Sequence, residues 1–231
     1  MIDNKTIQLI SNYSKRWWLD SGSLLGLTRD GHFLEQDEDI DIGIVIDSNK
    51  CVSFIDDLMK LDYKIVVFSL NNYIYKIKAI PRKNVASDSL ILDLQVYSKL
   101  GNQYICPQIV FIEKTNLIGK IFKSIIRAKK GSNSFFSKHF KIFFSKKKQL
   151  IKFKSMSKQY NVYFWHINSS FVESPFKKIT VFQCFSDVDK YLSFRYGDWH
   201  HPVKNWNFTI DDKGISIASH DELKLYECRK R

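Results

Sequence analysis

Four aspartates carry the chemistry open to this sequence. Asp37, Asp39 and Asp41 stand close together in the stretch DEDIDIGIVI, and Asp93 sits alone in an apolar run, SLILDLQVY, from Ser89 to Tyr97. Ile40, Ile42, Ile44 and Ile46 alternate through the first group, and a period of two predicts a strand. On a strand, Asp39 and Asp41 point to one side. Neighbouring carboxylates repel, and a divalent cation between them relieves the repulsion. Hard oxygen ligands suit Mg2+ (or Mn2+), an ion commonly shared with substrate phosphates. The plainer alternative is a half-buried strand with a solvated acidic face. For Asp93 the alternatives are equally distinct. Buried and unpaired it would be costly. It therefore lies near an exposed end, or pairs with a lysine, or serves as a further carboxylate on a strand beside Asp39 and Asp41.

Upstream of the acids is LDSGSLLGLTRDG. Residues 3–16 are expected to form a helix leading into a short strand, Trp17–Asp20. Gly22 then permits a tight turn, and Ser23 is placed to cap a helix from Leu24 to about Arg29. A helix N-terminus of this kind presents free N–H groups that attract phosphate. Taken alone, Gly-Ser is an ordinary turn; the acidic strand downstream gives it meaning. Arg29, charged at any relevant pH, can grip a phosphate bidentately, or can be a surface residue at a helix end.

The elements that must hold these residues read as α/β. A helix over about Asn49–Lys60 follows the acidic strand, capped by Asp47 or Ser48. Tyr63–Leu70 and Tyr73–Ile80 form a hairpin around Asn71-Asn72, Asp93 lies on the next strand, and Tyr104–Ile112 is one more. Thr180–Phe185 is a strand, and Ser186 with Asp189 makes a capping box for a helix that ends at Gly197. His166 in VYFWHI suits a hydrogen-bonded core position. His200 and His201 suit a loop more than a metal site.

Between these parts the composition shifts. No Asp or Glu occurs from Lys114 to Val172, while Lys114–Lys158 carries fourteen Lys or Arg. Leu117, Ile118, Ile121, Phe122, Ile125 and Ile126 form a stripe at helical spacing. Phe135, Phe136, Phe140, Phe143 and Phe144 follow, interleaved with lysines. Two basic amphipathic helices are expected, broken at Gly131–Ser134. The organisation is thus a catalytic core over 1–113, a basic phenylalanine-rich helical insert over 114–160, and a C-terminal part over 161–231 that completes the domain.

Composition narrows the field. A 231-residue chain that is 44% hydrophobic has enough apolar content for a real core, and its net charge of +12 favours a polyanionic partner. Cys51, Cys106, Cys184 and Cys228 include no CxxC pair, so no local zinc signature exists. They read as thiols in a reducing compartment, with a Cys184–Cys228 bridge as the alternative. The opening MIDNKTIQLI has neither the charged nor the apolar region of a signal peptide, and no apolar run is long enough to span a bilayer. The expected location is cytoplasmic, or peripheral on the inner face of the membrane.

Gly22-Ser23, Asp39-x-Asp41 and an isolated strand Asp resemble the nucleotidyltransferase superfamily. More narrowly, LDSGSLLGLTRDGHFLEQDEDIDIG is similar to the signature of the LicD family, typically LDGGTLLGAxRxxGFIPWDDDIDIG. YLSFRYGDW at Tyr191–Trp199 resembles that family's YGDW-type element, and ILDLQVY its third-acid strand. Ser21 stands where Gly is common, Glu38 where Asp is common, Gln36 where Trp is usual, and Gln95-Val96 where Phe-Pro is usual. The resemblance implies a nucleotidyltransferase-like fold with a mixed sheet flanked by helices. It also implies metal-dependent transfer of a phospho-alcohol, such as phosphocholine or ribitol phosphate, from a CDP-linked donor to a glycan acceptor, as in capsule or lipopolysaccharide decoration.

Under that resemblance Asp39, Asp41 and Asp93 are catalytic. Asp37, Asp39, Asp41 and Asp93 form the metal set, with Asp93 as third ligand or general base. Gly22, Ser23 and Arg29 bind donor phosphate. Asp198 and Tyr196 shape the acceptor side or close the domain. A lipid-linked acceptor fits an anionic membrane surface contacted through 117–154. Two other functions are compatible with the residues: nucleotidyl transfer from an NTP to a small molecule or protein, and a basic nucleic-acid-binding module without catalysis. Nucleic acid is not the expected partner, because the basic residues alternate with phenylalanines and match no nucleic-acid motif.

Overall fold

The structure, a computed structural model, describes residues 2–70, 73–82, 90–111, 140–144, 151–155 and 160–227. Its first part runs α1 (Asn4–Tyr13), β1 (Trp17–Leu19), α2 (Ser21–Arg29), β2 (Asp39–Ile44), α3 (Ser48–Lys60), β3 (Tyr63–Leu70), β4 (Tyr73–Pro81) and β5 (Ile91–Val96). Two further strands, β8 (Phe140–Phe144) and β9 (Ile151–Ser155), join these in a mixed seven-stranded sheet of order β1-β2-β5-β4-β3-β9-β8. Four strands form a second sheet, β13-β10-β7-β6, built from β6 (Ser98–Leu100), β7 (Gln103–Phe111), β10 (Tyr160–Asn168) and β13 (Ile215–Ile217). A hairpin of β11 (Phe176–Ile179) and β12 (Phe182–Phe185) precedes the helix Val188–Tyr196. This is the mixed, helix-flanked α/β arrangement expected.

The alternation in β2 divides the sheet into two faces. Ile40, Ile42 and Ile44 are fully buried in the core, and Asp39 and Asp41 occupy the opposite face. The β1–β2 pairing sets Trp18 opposite Gly43. A Cβ on Gly43 would fall 2.3 Å from the Trp18 ring, so the glycine of the DIDIG stretch is there to let the indole lie across the strand. Core helices cover the sheet with Ile10 from α1 and Phe54 and Leu58 from α3. At Tyr97 the chain passes from one sheet to the other, and the Tyr97 N–H still donates to Ile44 O at 2.8 Å.

Three local expectations are corrected. Ser186 does not cap the helix Val188–Tyr196: the N-cap is Asp187, whose carboxylate accepts from the Lys190 N–H at 3.0 Å. Ser23 does not cap α2: the helix starts at Ser21, and the N-cap is Asp20, whose carboxylate accepts from the Ser21 N–H at 2.8 Å. Phe140–Phe144 and Ile151–Ser155 are strands rather than parts of an amphipathic helix; β9 pairs in parallel with β3, and β8 pairs antiparallel with β9. FKIFF and IKFKS each carry a period-two component, and two ladders of backbone hydrogen bonds outweigh the helical stripe read across the longer segment. The first expected basic helix, from Leu117, and the turn at Asn71-Asn72 lie outside the described residues. So does Cys228; Cys184 is a free, buried thiol, as are Cys51 and Cys106. Among the described residues no helix is long and apolar enough to cross a membrane.

Candidate active site

The acids are brought together by strand register. β2 and β5 run parallel with Asp41 directly beside Asp93, and β4 lies antiparallel on the far side of β5 with Lys78 beside Asp93. The sheet face therefore carries carboxylates on two strands and ammonium groups on the third. Lys78 Nζ reaches Asp39 Oδ2 at 2.8 Å and Asp93 Oδ2 at 3.2 Å, and Lys76 Nζ reaches the same Asp93 oxygen at 2.8 Å. Burial alone would lower the Lys78 ammonium, but Asp93 and Asp39 more than offset this and hold it above its ordinary range.

Asp41 fares differently. Its carboxyl is pushed well above the usual carboxylate range by desolvation first, then by Asp93 and Asp39. Asp37 is raised as well, by burial and then by Asp39. Among the described residues neither Asp37 nor Asp41 forms an ion pair.

Asp37, Asp39 and Asp41 line one cavity of about 570 Å³. Ser21, Gly22 and Arg29 line it from α2, and Gln36 from the turn before β2. A Cβ on Gly22 would stand 2.8 Å from Asp37 Oδ2, so this glycine lets the carboxylate lie against the start of α2. Leu25 and Leu34 add apolar surface, and the C-terminal part contributes the aromatic residues Trp165, Tyr196, Trp199, Trp206 and Phe208 among others, with Asp198 and His201 at 2.9 Å from each other. Tyr196 and Trp206 pack at 5.0 Å between ring centroids.

The expected residues divide accordingly. Gly22, Arg29, Asp37, Asp39 and Asp41 meet in the cavity, as do Asp198 and Tyr196. Arg29 is already engaged, donating from Nε and Nη2 to the Asp30 carboxylate at 2.9 and 2.8 Å. Ser23 is not in the lining. It is fully buried, and its Oγ accepts the Asp41 N–H at 2.9 Å, so it fixes the acid strand against α2. Asp93 is also outside the lining, 3% exposed and held by both lysines. Of the alternatives weighed for it, the geometry supplies two at once: pairing with lysine and a place on the strand beside Asp41. His166 is hydrogen-bonded at both ring nitrogens, to Gln103 and Ser216, as a satisfied histidine should be.

Sequence reasoning missed the polar network that reaches the cavity wall through Arg195 and Asp212. Arg195 is 1% exposed and donates from Nε to Asp212 and from Nη1 to Asp20 at 3.2 Å and the Tyr191 hydroxyl at 2.8 Å. Tyr97 and Tyr191 both donate their hydroxyls to Asp20. Arg195 also lies 5.1 Å from the centre of the Trp165 ring. The N-cap of α2 and the YGDW element are thereby one buried charge network. Its sequence signals were the Asp in LDSGS and the Arg in FRYGDW, each inside a motif whose other letters drew the attention.

The residues fit a divalent ion in donor chemistry. Three oxygen-bearing side chains share one cavity, and two of them are raised by mutual repulsion and burial. They do not close into a preformed cluster: among the described residues no group of three His, Cys, Asp or Glu is arranged to hold an ion. Comparison with known families adds one finding. Residues 14–88 match the model described as LicD/FKTN/FKRP, nucleotidyltransferase domain. No curated protein matches the chain.

Proposed function

The chain carries a nucleotidyltransferase domain of the LicD family, and from that premise we propose that it transfers a phospho-alcohol from a CDP-activated donor to a hydroxyl of a cell-surface glycan. The observation that supports this best is the convergence of Asp37, Asp39 and Asp41 with Arg29 and an aromatic lining in one cavity. Phosphoryl transfer needs positioning and charge neutralisation more than covalent help from the protein. A Mg2+ or Mn2+ ion held by Asp37, Asp39 and Asp41 would neutralise the donor diphosphate. The N–H groups of Arg29 not spent on Asp30 would grip a phosphate oxygen. Ser21 and Gly22 bring the first turn of α2 to the same place, where helix N–H groups favour an anion. Trp199, Trp206 and Tyr196 offer flat faces for a base or sugar ring.

In the reaction the acceptor oxygen attacks the phosphorus that bears the alcohol, the bond to the CMP oxygen breaks, and the acceptor hydroxyl proton passes to a carboxylate. Asp37 lines the cavity beside Asp39 and Asp41 and would take that proton through an oxygen not spent on the ion. Asp93, paired and outside the cavity, would not.

The basic segment belongs to the same reading. Lysines without acids suit an anionic membrane that presents a lipid-linked acceptor, through residues 117–154. Salt-sensitive co-sedimentation with anionic vesicles supports that partner, and failure to bind them at low salt removes it. The reaction itself is tested by incubating the full chain with Mg2+ and a panel of CDP-alcohols and NTPs. Release of CMP from a CDP-alcohol is the expected result. Pyrophosphate from an NTP would instead assign nucleotidyl transfer, and neither product with any panel member would overturn both.

A further inference from the structure

The charge on the acid-bearing face is not left to a metal alone. β4 presents Lys76 and Lys78 two residues apart, on the face that carries Asp39, Asp41 and Asp93. A single lysine, Lys76, already meets the Asp93 carboxylate at 2.8 Å. Lys78 is thus free to lean to β2, and its nearer partner is Asp39, at 2.8 Å against 3.2 Å for Asp93. The Lys78 side chain is 14% exposed, which keeps water from screening the contact fully. On the cavity side of this bridge, Asp37 and Asp41 have no ion pair among the described residues.

We infer that Lys78 is a positioning residue, a built-in counter-cation that reserves one oxygen of Asp93 and one of Asp39 and so confines a divalent ion to Asp37, Asp39 and Asp41. The inference rests on the reading of the acids as a metal site. It has a consequence opposite in sign to a structural role. Loss of a merely structural lysine would loosen the site and weaken ion binding. Loss of a competing cation makes the site more negative and strengthens it.

The test is Mn2+ binding to the full chain by titration calorimetry, with no nucleotide present. Wild type should take one ion, and K78M, which keeps the aliphatic stem, should bind Mn2+ about tenfold more tightly or take a second ion. K78R should restore wild-type affinity and stoichiometry. If K78M loses its fold by circular dichroism, K78Q replaces it with the same expectation. A folded K78M or K78Q with wild-type or weaker affinity and one ion overturns the role of Lys78 while leaving the acid site standing. Failure of wild type to bind Mn2+ at millimolar concentration, or binding undiminished in D39N, overturns the acid site and the Lys78 inference together.

Discussion

Ser21 opens α2 with φ of +48°, in the left-handed region, and its Oγ is buried without a hydrogen-bond partner among the described residues. A side chain there is strained, and strain of this kind costs about 1–3 kcal/mol and persists at functional sites. Ser21→Gly should therefore stabilise the fold by about 1 kcal/mol, since glycine adopts this conformation freely. Urea denaturation checks it; a midpoint unchanged or lower than wild type would contradict the strain. The residue lines the cavity, so the strain lies at the site itself. Single residues were read unevenly from sequence. The carboxylates of DEDIDIG declare themselves by type and spacing. Ser23 does not, because one hydroxyl can serve a phosphate or a backbone N–H, and only the packing of α2 against β2 decides for the latter. Lys76 and Lys78 are ordinary alternating strand residues until the β4–β5 register sets them beside Asp93.

Elements whose period matched their burial were legible. β2 shows its apolar and acidic faces in the letters themselves, and the β3–β4 hairpin is read from two runs separated by Asn71-Asn72. Pairing between distant strands is different, since nothing local specifies that β2 lies parallel to β5 or that β9 adds to β3. The basic segment shows the cost of reading local period alone. Its phenylalanines satisfy a helical stripe, yet FKIFF and IKFKS are strands. At Gly43 the element leaves no room for a side chain, because the Trp18 ring occupies the space over β2. Gly43→Ala should cost about 1–3 kcal/mol through overpacking, and should also disturb turnover, since Asp41 is two residues away on the same strand. A thermal midpoint within a degree of wild type would show that Trp18 moves aside without penalty.

The molecule as a whole is tied through Arg195. Asp20 belongs to the first part of the chain and Asp212 to the last, and one buried guanidinium meets both. Removing it leaves two fully enclosed carboxylates facing each other's charge. Arg195→Met should destabilise by about 3–5 kcal/mol, the usual result of breaking one side of a buried pair. The loss should appear as a single shifted transition, because the YGDW element and α2 share the network. Two separated transitions, or a variant as stable as wild type, would show that the C-terminal part holds its place by other contacts. Two aromatic residues of the cavity lining, Trp165 and Tyr196, pack against the Arg195 guanidinium, so the clasp helps bring the C-terminal part to the acids.

The same balance of charges bears on the acid strand. Folding raises the Asp41 carboxyl well above its ordinary range, so the folded chain holds that proton to higher pH than the unfolded chain does. Its contribution to stability therefore falls as pH rises through that window, because ionising the enclosed group costs more in the folded chain than in the unfolded one. The most direct measurement is Asp41→Asn, assayed for metal-dependent CMP release and for thermal stability on one preparation. If Asp41 serves the reaction, turnover should fall on the order of 10³-fold or more, while the metal-free protein melts at or above the wild-type temperature. Turnover within a few-fold of wild type would contradict the account, whatever the melting temperature.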